Sequence, residues 1–197
     1  MKKLAAVAVA AALAAPGLAL AQTSTWTIDS AHAHSAFTIR HLVITNVRGE
    51  FGKTTGTLVL DEKDITRSTV EATIDATTID TRVADRDTHL KSADFFDVAK
   101  FPTITFKSTK VEKAGEGRLK VTGDLTMRGV TKPVVLDVAG PTGQITDPWG
   151  NVKRGVVATT KIDRRDFGLT WSKAIEAGPV VGNEVNIEIE AELAKAK

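Results

Sequence analysis

The chain has 197 residues, 26 Lys and Arg against 24 Asp and Glu, and no cysteine. The missing thiols exclude a disulfide framework, a thiolate metal site and a cysteine nucleophile. Residues 1–21 hold Lys2 and Lys3 but no acid, so without them basic and acidic residues balance at 24 each, which weighs against nucleic acid, whose phosphates call for a basic face.

Lys2 and Lys3, the apolar run Leu4 to Ala15 and the small-x-small site Ala19-Leu20-Ala21 read as a secretory signal peptide cut after Ala21. The run is too short to span a bilayer. Residues 22–197 are then expected as a single domain exported to the periplasm without a stable membrane anchor. A chain of that length buries about 70% of its unfolded surface and needs no staple.

Trp26 and Ile28 share a face of a short first strand that Asp29-Ser30 turns. Ser35, Phe37, Ile39, His41 and Val43 then alternate with Ala36, Thr38, Arg40 and Leu42, the two-residue period of a half-buried strand. Val47 to Leu60 reads as one strand, with Phe51 between Gly49 and Gly52 and with Gly56 further on. Glycines inside a strand mark bulges or bends. Val70, Ala72, Ile74 and Ala76 form the next dry face.

From Val83 to Lys91 the alternation stops. Val83, Arg86 and Leu90 fall at helical spacing, with Asp85 and Asp87 early and Lys91 late, as the helix dipole favours. One short helix is predicted, running into Phe95 and Phe96 and lying across one end of the sheet as a lid. Ile104 and Phe106 reopen the strand pattern, and Gly115 to Gly117 turns it into Leu119, Val121, Gly123 and Leu125. Val134, Leu136 and Val138 follow, then a long turn from Pro141 to Asn151. Val156, Ala158, Thr160 and Ile162 resume, Asp163 to Trp171 bends, and Val185, Ile187, Ile189, Ala191 and Leu193 line the last strand.

About eight strands with short turns and no parallel crossover predict an all-β, eight-stranded antiparallel up-and-down barrel, which leaves no exposed sheet edge. Such a barrel is either just filled or holds one small ligand. Small inward residues (Ala72, Ala76, Val121, Gly123, Val134, Ala158, Ala191) favour an elongated apolar cavity, with phenylalanines gathered near the helix. A solid barrel serving as an interaction module is the alternative.

Chemistry has few footholds. His32 and His34 share a strand face, but zinc wants three or four ligands, and His34 and His41 have opposite parity, so no metal site is expected. There is no Gly-x-Ser-x-Gly elbow and no phosphate-cradling loop, so the chain is not expected to be an enzyme. A lipid-modifying hydrolase or isomerase using His34, His41 or His89 is the rival reading. On the lid, Arg86 and His89 are candidate head-group contacts for a ligand whose tail fills the cavity.

Several motifs, in order along the chain, carry a resemblance. They are His34-Ser35-x-Phe37-x-Ile39-x-His41-Leu42, Gly49-x-Phe51, Arg86-Asp87-x-His89-Leu90-x-Ser92-x-Asp94-Phe95-Phe96-Asp97 with Phe101-Pro102, Gly123-x-Leu125-Thr126-x-Arg128-Gly129-Val130-Thr131 with Pro133, and Asp163-Arg164-x-Asp166-Phe167-Gly168. Together they resemble the YceI-like family of polyisoprenoid-binding periplasmic proteins. The resemblance implies a lipocalin-type barrel whose apolar tunnel holds a long isoprenoid lipid, polyprenyl or quinone-type. It also implies no metal or redox cofactor, no established enzymatic activity, and homodimers for some members. Joined to the alternation, it nominates Phe37, Ile39, Phe51, Ile74, Leu90, Phe95, Phe96, Ile104, Phe106, Leu125 and Phe167 as the ligand-binding lining.

Overall fold

The computed structural model describes residues 23–176 and 178–196. The expected signal peptide lies outside the described residues.

The strands, in chain order, are β1 (Thr23–His41), β2 (Thr45–Phe51), β3 (Thr54–Asp61), β4 (Thr69–Asp75), β5 (Ile79–Asp80), β6 (Thr103–Lys113) and β7 (Arg118–Met127). They continue as β8 (Val130–Ala139), β9 (Ile145–Thr146), β10 (Val152–Asp163), β11 (Ala174–Ile175), β12 (Gly178–Pro179) and β13 (Val181–Lys195). One helix, α1 (Ala84–Lys91), stands between β5 and β6. The hydrogen-bonded order β13-β10-β8-β7-β6-β4-β3-β1 closes on itself because β1 also pairs with β13. Eight antiparallel strands thus make a complete barrel, and closure removes the edges that an open sheet would expose. β2 and β5 extend the sheet beyond β1, and β9 pairs with β10.

The chain differs from the sequence expectation at its start. Asp29-Ser30 does not end a strand; β1 runs through it and bulges. Against β13 the register jumps from Ile28↔Leu193 to Ala33↔Ala191, so residues between Ile28 and Ala33 bow out of the ladder. Extra residues in one strand bend it and raise its twist, and the bend lets one long strand serve two neighbours. The first half of β1 pairs with β3 and the second with β2. The expected strand from Val47 to Leu60 is correspondingly split at Gly52-Lys53.

The helix lies within one residue of its expected span and buries none of its residues. Val83 at its N-cap offers no side-chain hydrogen bond. The Asp87 carboxylate turns back instead to accept the Thr81 backbone N–H at 2.9 Å, which pins α1 to the end of β5.

The core forms three clusters stacked along the barrel. At the helix end Phe51, Ile104, Leu125, Met127 and Phe167 pack together. Val111, Val121, Val138 and Ala158 make the waist, and Trp26, Leu60 and Leu193 the far end. Trp26 is completely buried, with the Arg154 guanidinium 5.0 Å above its ring. This cation–π contact lies at the far end of the barrel.

Candidate functional site: an apolar bore beneath the helix

Inside the barrel lies a void of about 400 Å³, a volume within the range of small-molecule sites. Its lining follows β13 from Val181 to Leu193; at about 3.3 Å per residue and the usual barrel tilt near 40°, that is about 30 Å of bore. A void of this size drawn out over that length takes a slender chain.

Period-two alternation aims the lining inward. On β1, Phe37, Ile39 and His41 face the void, and His34 faces out, its side chain 68% exposed. Ile74, Ile104, Phe106 and Leu125 contribute from β4, β6 and β7, and Phe51 from β2. Leu90, Arg86 and His89 of α1, together with Phe95 and Phe96 just after it, line the void at the helix end. Phe51 meets Phe37 at 5.9 Å and the edge of Phe96 at 5.7 Å between ring centres. Two glycines set the width. Rings of Phe37 and Phe106 occupy the space that side chains at Gly49 and Gly123 would need, so each phenylalanine lies back on the neighbouring strand.

Phe167 does not line the void. The tight turn Arg164–Phe167, closed by Gly168 at φ 75°, folds it into the packed helix-end cluster, where it is 1% exposed. Leu169 and Trp171, two and four residues on, reach the void in its place. Ala76 is likewise buried in the helix-end core, and Gly123 sits beneath Phe106, so neither faces the bore.

Trp171 and Arg164 are among the lining residues that alternation could not find, because both follow the end of β10. The Arg164 guanidinium is 3% exposed. It donates to the carbonyls of Leu169, Trp171 at 2.8 Å and Gly182 at 2.8 Å. Burial pushes its pKa below the ordinary arginine value, and carbonyls take the place of a counter-ion. Trp171 is thereby held against Phe95 and the edge of His89, with ring centres 5.2 Å and 5.0 Å away.

Arg86 donates from Nε to the Thr81 hydroxyl at 2.7 Å and from Nη2 to the Thr81 carbonyl at 2.8 Å. No carboxylate pairs with it among the described residues. His89 Nε2 lies 2.8 Å from the Asp94 carboxylate. The lining as a whole includes Arg40, His41, Arg86, His89 and Arg164 but no Asp, Glu or Lys. An apolar bore whose charged groups are all basic suits a greasy tail with a polar or anionic head.

The three histidines of the rival reading do not share one site, since His34 is on the outer face and His41 and His89 reach the bore. None of them hydrogen-bonds a serine or threonine hydroxyl among the described residues, the partner that a Ser–His or Thr–His nucleophile pair requires.

Asp29, His32 and Glu192 bring metal-ligating atoms within 4.8 Å of one another at the β1 bulge. The Lys153 ammonium already lies 2.5 Å from Asp29 and 3.1 Å from Glu192. It fills the place of a cation and holds the Asp29 carboxyl down to about 2, with the His32 hydrogen bond helping. Outside the barrel a second hollow of about 930 Å³ mixes Arg48, Arg82 and Lys161 with Glu50, Asp80 and Glu188, which offers no single ligand chemistry.

Among solved structures, the Campylobacter jejuni YCEI protein is 32% identical, with a TM-score of 0.68 over 80% of this chain and 90% of that one. A polyisoprenoid binding domain from Saccharophagus degradans shares the fold at a TM-score of 0.61 and 14% identity, over 87% of this chain and 98% of that one. A UPF0312 protein of Vibrio parahaemolyticus is 38% identical over 194 residues, covering 94% of this chain and 97% of the relative. The family description YceI-like domain matches residues 26–193, and the chain belongs to the YceI-like family.

Proposed function

We propose that the protein binds and carries a long-chain isoprenoid lipid, polyprenyl or quinone-type, in the barrel bore, and that it does so in the periplasm. The observation that carries this reading is the slender void of about 400 Å³ with no Asp, Glu or Lys in its lining. Burial of a hydrocarbon tail contributes about 0.8 kcal/mol per CH₂, so a tail of several isoprene units binds tightly without any charged contact. The polyisoprenoid binding domain of Saccharophagus degradans, which shares the fold, supports the choice of tail. The periplasmic address rests on the signal-like residues 1–21.

In this reading Phe37, Ile39, Phe51, Ile74, Leu90, Phe95, Phe96, Ile104, Phe106 and Leu125 contact the tail, and Arg86 and His89 meet the head group. The lipid is cargo, without a metal or redox cofactor, and no reaction is performed on it. A homodimer belongs to the same proposal.

Organic extraction of protein purified from its native periplasm, followed by mass spectrometry, tests the reading. An isoprenoid in stoichiometric amount supports it. A lipid-free protein that also fails to take up a polyprenol or a ubiquinone overturns it.

A further inference from the structure

The helix end of the barrel ends in apolar side chains that nothing covers. The turn joining β1 to β2 presents Val43, 46% exposed, and Ile44, 70% exposed, and the hairpin of β11 and β12 presents Ile175, 44% exposed. These two hairpins are neighbours. The Leu42 N–H donates to the Val180 carbonyl at 2.9 Å, and a side chain at Gly178 would stand 3.2 Å from Val43. Both are continuous with the bore, whose lining runs out to His41, Trp171 and Val180.

The backbone holds this tip out at a cost. Leu42 and Val43 sit at φ 51° and 63°, the two central positions of a turn that Asn-Gly adopts with least strain. A β-branched residue there is an outlier, and such strain collects where a segment contacts a ligand or partner. Two cations flank the tip, Arg40 on β1 and Lys173, whose carbonyl accepts the Val180 N–H at 2.9 Å. Arg40 donates to the Val43 carbonyl and to Asn46, each at 3.2 Å. Neither Arg40 nor Lys173 has an ion-pair partner among the described residues, and Glu176 is the one carboxylate of the β11–β12 hairpin.

We propose that this tip is a membrane-docking rim, in which Val43, Ile44 and Ile175 enter the headgroup region of an anionic phospholipid bilayer while Arg40 and Lys173 meet lipid phosphates. The mouth of the bore then faces the bilayer, and a lipid moves between membrane and barrel without crossing water. This inference rests on the carrier reading for its purpose but not for its geometry. The opposite end also exposes apolar side chains, Ile145 at 65% and Trp149 at 84%, but there no unpaired Arg or Lys among the described residues is tied to them by a contact, and Trp26 packs with Leu60 and Leu193 inside that end.

The test is co-sedimentation of residues 22–197 with vesicles of phosphatidylethanolamine and phosphatidylglycerol, and with phosphatidylcholine alone. Wild type is expected to bind the anionic vesicles more strongly. The pair Ile44→Asp with Ile175→Asp is expected to lower that partition about a hundredfold, about tenfold for each apolar side chain kept out of the bilayer. Ile44→Ser serves as the milder variant, and both sites are exposed, so an unchanged melting temperature is expected. All-trans-retinol, a fluorescent isoprenoid, is delivered in parallel from vesicles and from ethanol. The tip variant is expected to load slowly from vesicles and at the wild-type rate from ethanol.

Failure of wild type to load retinol from ethanol counts against the carrier reading and leaves the vesicle result standing. The docking proposal is overturned by undiminished vesicle binding in the tip variants, by binding that falls with Trp149→Ala instead, or by tip substitutions that only dissociate a dimer.

Discussion

The Phe37 ring lies on Gly49 of the adjacent strand, so that a Cβ at Gly49 would stand 2.5 Å from Phe37 Cζ and 2.7 Å from the Thr81 methyl. The absence of a side chain is what lets the phenylalanine lie back and leave the bore open. Gly49→Ala therefore drives the ring toward the void. Overpacking of this kind costs about 1–3 kcal/mol, and the narrowed bore is expected to take up retinol more weakly. Thermal melting and a retinol titration check the two halves separately; a variant with wild-type stability and uptake would remove the glycine from the account.

Much of this arrangement could be read from residue order, and the reason is periodicity. Strands of a barrel have one dry and one wet face, so the parity of Phe37, Ile39 and His41 on β1, or of Ile104 and Phe106 on β6, survives folding unchanged. Parity fails where the chain leaves the ladder. Phe167 follows Ile162 in an apolar pattern, but the turn at Arg164–Phe167 rotates it out of the bore. Trp171 and Arg164 enter the site through hydrogen bonds from a guanidinium to three carbonyls, and such long-range bonds leave no trace in spacing. The β1 bulge is invisible for a related reason: only pairing with β13 reveals that residues between Ile28 and Ala33 have no ladder partner on that strand.

At the bulge, Lys153 bridges Asp29 and Glu192. Asp29 has its pKa lowered from 3.8 to about 2, first by the hydrogen bond from Lys153. A depressed carboxyl contributes stability that is present above its unfolded pKa and lost as pH falls through its folded one. The loss is therefore expected between about pH 4 and pH 2. With the Asp29 side chain 24% exposed, solvent screening reduces the contribution to about 1 kcal/mol. Urea unfolding at pH 6 and pH 2.5 should show Asp29→Asn losing less stability over that range than wild type; equal losses would dismiss the pair.

Arg164 ties the segment after β10 to the start of β13 by donating to Leu169, Trp171 and Gly182 carbonyls. Replacing it by Met keeps much of the volume but leaves those carbonyls without donors, at about 1–3 kcal/mol for each that water cannot reach. A total loss of about 3 kcal/mol or more is expected for Arg164→Met. Trp171 should also leave Phe95 and His89, which a red shift of tryptophan emission that disappears when Trp171→Phe is added would reveal. Destabilisation with unchanged emission would mean that Trp171 is held by ring packing alone.

The docking tip makes an opposite prediction about stability. Val43 at φ 63° keeps a β-branched side chain in the left-handed region, which costs roughly 1–2 kcal/mol, whereas glycine adopts it freely but loses more chain entropy on folding. Val43→Gly is thus expected to gain up to about 1 kcal/mol net, a rise in melting temperature of about 2–4 °C for a chain of this length. The same substitution removes an exposed aliphatic from the rim, so partition into phosphatidylglycerol vesicles should fall. A turn that becomes more stable as it binds membrane less is the signature of strain retained for contact with lipid. If Val43→Gly instead left vesicle binding unchanged, the strain would have no tie to the membrane.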